Sequence, residues 1–117
     1  MRYAGWLIAL TLVSACGGQE TGPRTKTIGV SLLDQTNDFF KSLEAGLRKE
    51  ASKHGYRLIV QSAEVDPTIQ ARHLEDFVTQ GVDAIIVTPC NSDTVYANLR
   101  GADRNKIPVF TADIAAH

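Results

Sequence analysis

Four short runs of β-branched and aliphatic residues recur along this chain, and every gap between them is long enough to hold a helix. The runs are residues 27–32 (TIGVSL), 56–61 (YRLIVQ), 83–87 (DAIIV) and 107–110 (IPVF). In the first gap Phe39, Phe40, Leu43, Leu47 and Ala51 recur at helical spacing, with Lys41, Glu44, Arg48 and Lys49 off that stripe. Asn37 is placed to cap this helix and Gly55 to end it in a left-handed turn. Glu44 and Arg48 stand at i,i+4 in the favourable order, worth about 0.2–0.5 kcal/mol. In the second gap Asp66-Pro67 supplies a capping acid and a proline at the first helical position. Ile69, Leu74, Phe77 and Val78 form the apolar stripe there, and Gly81 is the stop. Asn91 or Ser92 caps a third helix carrying Val95, Leu99 and Ala102, and Pro108 is tolerable near the start of the last strand. The run 83–87 is apolar enough to be covered on both faces, as parallel strands are. The pattern predicts an α/β fold with a parallel, doubly wound (Rossmann-like) sheet and right-handed crossovers.

The residues ahead of this body read as an address. Met1-Arg2 carries the only charge before Glu20, residues 3–13 are almost wholly apolar, and Ser14-Ala15-Cys16 follows with small side chains. A basic start, an apolar stretch of about 7–15 residues and a small-residue cleavage site describe a secretory signal. The stretch is shorter than the roughly 20 apolar residues of a membrane-spanning helix. Val13-Ser14-Ala15-Cys16 resembles the bacterial lipobox, in which cleavage before the cysteine is coupled to its lipidation. The expected organisation is a lipoprotein signal peptide at 1–15, a glycine-containing flexible tether at 16–26, and an α/β body at 27–117. Export to a periplasmic or cell-surface location, with Cys16 anchored in the membrane, follows from that reading.

Composition narrows the function classes. The 117 residues are 44% hydrophobic and 21% charged with a net charge of −1, which argues against a nucleic-acid binder and against disorder throughout. One core is the size expectation. Cys16 and Cys90 make no disulfide framework, and Cys90 reads as a quiet thiol with no histidine partner in view. His54, His73 and His117 are scattered, so each reads as a surface residue and no metal or cofactor site is expected. A dinucleotide fingerprint and a P-loop are both missing after the first strand.

Ligands of open parallel sheets bind beyond the carboxyl ends of the strands, near the switch in strand order. The segments expected there are 31–40, 88–93 and 111–114, which bring Asp34, Gln35, Asn37, Phe39, Phe40, Thr88, Asn91, Asp93 and Asp113. These are amides, hydroxyls, carboxylates and paired aromatic rings, with no lysine or arginine. An anion would want positive charge, whereas a neutral polyol suits hydrogen-bonding groups beside an aromatic face. Phe39 and Phe40, about 100° apart on a helix, divide so that at least one packs inside. Asp93 is read as a helix-capping residue, and Asp113 as a ligand-binding carboxylate.

Ile28-Gly29-Val30-Ser31, then Asn37-Asp38-Phe39-Phe40 leading into Leu43-Glu44-Ala45-Gly46, is similar to the first strand and N-P-F-F helix start of the type I periplasmic sugar-binding proteins, above all the ribose-binding-like members. Asp38 stands where that family usually has proline. Gly55-Tyr56, the stretch 81–86 (GVDAII) and Ile107-Pro108-Val109 match in the same order. The resemblance implies a two-lobe fold and a non-catalytic, lipid-anchored solute-binding protein that captures a monosaccharide or related polyol for an ABC permease. A protein presenting sugar to a receptor kinase, and a transcriptional-regulator effector domain, are the alternatives. It implies ligand-binding roles for Asn37, Phe39, Phe40, Thr88 and Asp113, and Asn91 is added as a ligand-binding residue from its place after the third strand. Thr88 replaces a common asparagine, Ile114 replaces a common arginine, and the 32–36 loop is longer than in ribose binders. With Ala115-Ala116-His117 soon after the fourth strand, the expectation is an incomplete N-terminal lobe lacking the second half-site. If half the contacts of a micromolar site are absent, affinity is expected at roughly millimolar, and an unpaired sheet edge is expected to limit solubility.

Overall fold

The computed structural model of this chain describes residues 22–113. The expected signal segment, Cys16 and the start of the expected tether, like Ile114 and His117, lie outside the described residues. The elements are β1 (Thr27–Leu32), α1 (Asp38–Lys53), β2 (Arg57–Ser62), α2 (Pro67–Gln80), β3 (Ala84–Val87), α3 (Ser92–Arg104) and β4 (Val109–Thr111). All four strands run parallel, in the order β2-β1-β3-β4. The α/β fold expected from the alternating pattern is the fold observed.

The helix boundaries have local causes. Asn37 accepts from the Phe39 N–H at the start of α1, Asp66 from Thr68 and Ile69 at the start of α2, and Asn91 from Asp93 and Thr94 at the start of α3. Gly55 (φ 65°) and Gly81 (φ 66°) take the left-handed conformation that closes α1 and α2. At the end of α3 that conformation falls to Lys106 (φ 56°), with Ile107 N–H bonding back to the Ala102 carbonyl at 2.9 Å.

Three strands start later than their sequence runs suggest: β2 at Arg57, one residue after Tyr56, and β3 and β4 for reasons of local bonding. Asp83 lies outside β3 because its carboxylate accepts from Thr27 N–H at 2.8 Å and pairs with Arg24, tying the entry to β1 against the start of β3. Pro108 has no N–H for the ladder, so β4 begins at Val109, and the Pro108 carbonyl accepts from Ile85 N–H at 2.9 Å.

Alternation along β1 and β3 sends Gly29, Ser31, Ile85 and Val87 to one face and Val30 and Ile86 to the other. The first face carries α2 and α3 and holds the core of Leu74, Phe77, Val82, Ile85, Val87, Val95, Ala102 and Ile107. On the other face lies α1, which buries Phe40 and Ala51. Phe77, fully buried, sits directly on Gly29, where an added Cβ would meet ring carbons at 2.5–2.8 Å. The ring centre occupies the place of a side chain, so α2 can lie flat across β1. Gly29→Ala is therefore expected to cost about 1–3 kcal/mol in urea unfolding, and Phe77→Leu in the same chain to recover part of it. A Gly29→Ala variant as stable as the parent would show that this contact does not set the seat of α2.

Candidate functional site

The strand order reverses at the β1–β3 pair. From β1 the chain crosses by α1 to β2 on one side, while from β3 it crosses by α3 to β4 on the other. The two outgoing loops part beyond the carboxyl ends of β1 and β3, where open parallel sheets bind ligands.

The separation is built from named bonds. Thr88 N–H still donates to the Ser31 carbonyl at 3.0 Å, in register with the ladder. The next ladder bond would run from Leu33 N–H to the Thr88 carbonyl. Instead Leu33 N–H donates to the Thr88 hydroxyl at 2.6 Å, and the freed carbonyl turns to the side-chain amide of Gln70 at 3.0 Å. Thr88 is only 1% exposed, so the hydroxyl expected at a ligand is spent on holding the β1 loop.

The β1 loop is stiff. The Asp34 carboxylate accepts from the Thr36 hydroxyl (2.7 Å), Thr36 N–H (2.8 Å) and Asn37 N–H (3.2 Å). Those bonds, the Thr36 hydroxyl first, hold its carboxyl below the ordinary aspartate range. Gln35 donates to Glu44 at 2.7 Å, and Glu44 pairs with Arg48 as its spacing suggests. The β2 loop is tied in alongside, with Ala63 and Val65 N–H on the carbonyls of Leu32 and Leu33, both at 2.8 Å. Between the β1 and β2 loops lies a cleft of about 490 Å³ lined by Asp34, Gln35, Thr36, Ser62, Glu64 and Val65.

The aromatic pair divides. Phe40 is buried, whereas Phe39 is 53% exposed, the two rings meeting edge-to-face with centroids 5.1 Å apart. Asn37 and Asn91 are exposed and use their side-chain oxygens as helix caps, a role that does not engage the NH₂ end of either amide. Asp93 sits in the first turn of α3, where the cap is Asn91. Asp113 follows β4, is exposed, and has a φ of 75°, a left-handed conformation enriched for Asp and concentrated at functional sites. Ala112 N–H bonds the Val87 carbonyl at 3.0 Å, which carries this segment along the end of β3. The structure thus brings Asn37, Phe39, Thr88, Asn91 and Asp113 to one edge, with Phe40 beneath.

Two residues that matter at this edge, Gln70 and His73, were not expected there, and they join Ser31 from the expected 31–40 segment. Ser31, Gln70 and His73 form a polar layer under the loops: Gln70 donates to the Ser31 hydroxyl (3.4 Å), which lies 3.0 Å from His73 Nδ1. Gln70 occupies the first place of a 70–74–77 stripe whose other members are apolar, a polar interruption visible in the sequence. His73, read as a surface residue, is instead half-buried against β1. Cys90 is partly exposed, and burial, with the Asp66 carboxylate adding to it, pushes its thiol up, away from nucleophilic thiolate. Among the described residues no three or more His, Cys, Asp or Glu side chains gather as a metal site.

The sequence profile of the family described as "periplasmic binding protein domain" matches residues 28–116. This chain belongs to that family. The periplasmic binding protein's relatives include the ribose import binding protein of Bacillus subtilis, 38% identical over 90 residues, which are 77% of this chain and 30% of that protein. The xylitol-binding protein of Mycolicibacterium smegmatis is 31% identical over 105 residues, 88% of this chain and 30% of that one. An ABC transporter solute-binding protein from Actinobacillus succinogenes with bound D-allose superposes with a TM-score of 0.76 at 27% identity, covering 80% of this chain and 33% of its own. The type I, sugar-binding branch named by the sequence motifs is the branch to which these relatives belong, and the solved ones have two lobes. The chain spans about a third of the length of the relatives it matches.

Burial pushes the His73 imidazole below its ordinary value, against the opposing pull of the Asp76 carboxylate. The unfolded chain therefore binds that proton more readily than the folded one. Stability rises with pH from the depressed folded value to the ordinary imidazole value, and is lost on acidification through the same window. Urea unfolding between about pH 5 and pH 8 is expected to show a steeper acid loss for the parent than for His73→Gln. Equal slopes would remove His73 from the polar layer.

Proposed function

We propose that this periplasmic binding protein captures a monosaccharide or related polyol at the carboxyl edge of its sheet, for delivery to an ABC permease. The observation that carries this reading is the exposed Phe39 ring, held against buried Phe40 at the carboxyl edge that also carries Asn37, Asn91 and Asp113. No lysine or arginine lies in segments 31–40, 88–93 or 111–113, so an uncharged ligand fits better than an anion. Phe39 covers the C–H face of the sugar, while Asn37 and Asn91 donate their free amide protons to hydroxyl oxygens. Asp113 accepts from two neighbouring hydroxyls. Phe40 supports Phe39, and Thr88 holds the loops apart. The cycle needs only binding and release; no bond is made or broken. The relatives named as sugar-import binding proteins and the D-allose-bound solute-binding protein support the same ligand class.

Acylation of Cys16 completes the reading as a lipid-anchored protein. The Arg24–Asp83 pairing fastens the chain entry at the amino edge of the sheet. The six residues of β1 then separate that entry from the binding edge by about 20 Å, so an anchored molecule presents the edge away from its tether.

Saturation-transfer NMR on the purified Cys16→Ser chain tests the proposal, with D-ribose, D-allose, xylitol and myo-inositol as probes. Transfer is expected to at least one of them, at roughly millimolar affinity for a single rim. Phe39→Ala is expected to weaken it by about 0.5–1.5 kcal/mol and Asp113→Ala by about 1–3 kcal/mol. Transfer to none of the four, or transfer indifferent to both substitutions, would refute the site.

A further inference from the structure

Gln70 is 2% exposed, one turn into α2, and all the hydrogen bonds of its side chain run to other elements. Its amide NH₂ donates to the Thr88 carbonyl at 3.0 Å and to the Ser31 hydroxyl at 3.4 Å, and its oxygen accepts from Cys90 N–H at 2.9 Å. A carbonyl at one residue and an N–H two residues on are the pair that a neighbouring parallel strand satisfies. Gln70 thus takes the place of a strand partner for residues 88–90, just where the chain leaves β1.

We propose that Gln70 is the positioning residue of the binding edge, and that it sets the exit of the β3 loop and the direction in which Asn91 faces the ligand. The consequence for binding rests on the sugar-binding reading; the consequence for the loop does not. With Leu33 N–H taken by the Thr88 hydroxyl, the Thr88 carbonyl and Cys90 N–H have no partner on β1, and both are supplied by one side chain anchored in a helix. A buried backbone pair left without partners would turn toward water, and the loop would follow it. The amide is suited to the task because it offers donor and acceptor at once, which neither a carboxylate nor an apolar side chain of the same size does.

Two substitutions in the Cys16→Ser chain test the inference. Gln70→Leu keeps the volume and removes both functions. Gln70→Glu keeps the acceptor and lacks the donor until its carboxyl is protonated. In Gln70→Leu, hydrogen-exchange protection of the Cys90 amide is expected to fall at least tenfold and the Cys90 thiol to react several-fold faster with a disulfide reagent. Phe77 in the core should keep its protection. Affinity for whichever neutral sugar binds the parent should fall at least tenfold. For Gln70→Glu, the deficit in affinity relative to the parent is expected at pH 8 and to shrink toward pH 5. The titratable groups facing this position are His73 on α2, Asp66 at its N-cap and Cys90 on the β3 loop. The same ratio measured in a His73→Gln background removes the imidazole, the group among them that ordinarily titrates between pH 5 and pH 8.

Cys90 protection unchanged in Gln70→Leu would overturn the inference, as would a released loop with undiminished sugar affinity or a Gln70→Glu deficit that ignores pH. If the parent binds no neutral sugar, the functional reading fails, while the exchange and thiol measurements still decide the role of Gln70.

Discussion

The fold turns on the contact of the Phe77 ring with the backbone of Gly29. To connect β2 with β3, α2 must cross over β1, the strand lying between them in the sheet. A side chain at position 29 would lift the helix off β1. Without one, α2 lies flat, β3 pairs with β1 on the side away from β2, and the order of the sheet reverses there. That reversal opens the gap between the outgoing loops, so the place of the site follows from one aromatic ring seated on one glycine. The same seating brings His73 and Gln70, one and two turns back along α2, over Ser31.

Much of this was legible in the chain. The strand runs, the caps at Asn37, Asp66 and Asn91, and the stops at Gly55 and Gly81 each rest on a local preference that tertiary packing left in force. The strand starts were less legible: Asp83 is claimed by Arg24 and Thr27, residues more than 50 positions away. Lys106 gives no sign of its left-handed backbone, because the glycine that marks such a turn elsewhere is replaced by a side chain that tolerates it at a cost of about 1–2 kcal/mol.

At the site the division is sharper. Residue types at the edge, and their lack of positive charge, could be read directly. Their availability could not. Phe39 and Phe40 are adjacent and alike, and only the packing of α1 decides that one is exposed. Thr88 carries a hydroxyl suited to a sugar, yet the parting of β1 and β3 claims it. Hydrogen bonds that run between elements distant in sequence leave little local signature, so beyond the polar interruption at Gln70 the layer under the loops emerged only from the fold.

The account comes down to a neutral sugar held at the carboxyl edge of a four-stranded sheet. Chemical-shift mapping on the ¹⁵N-labelled chain, titrated with D-ribose, D-allose, xylitol and myo-inositol, tests that most directly. The account predicts shifts confined to the amides of residues 34–40, 88–91 and 112–113. Shifts centred on Arg24, Thr27 and Asp83 at the opposite edge, or a response to a sugar phosphate with none to any neutral sugar, would contradict it.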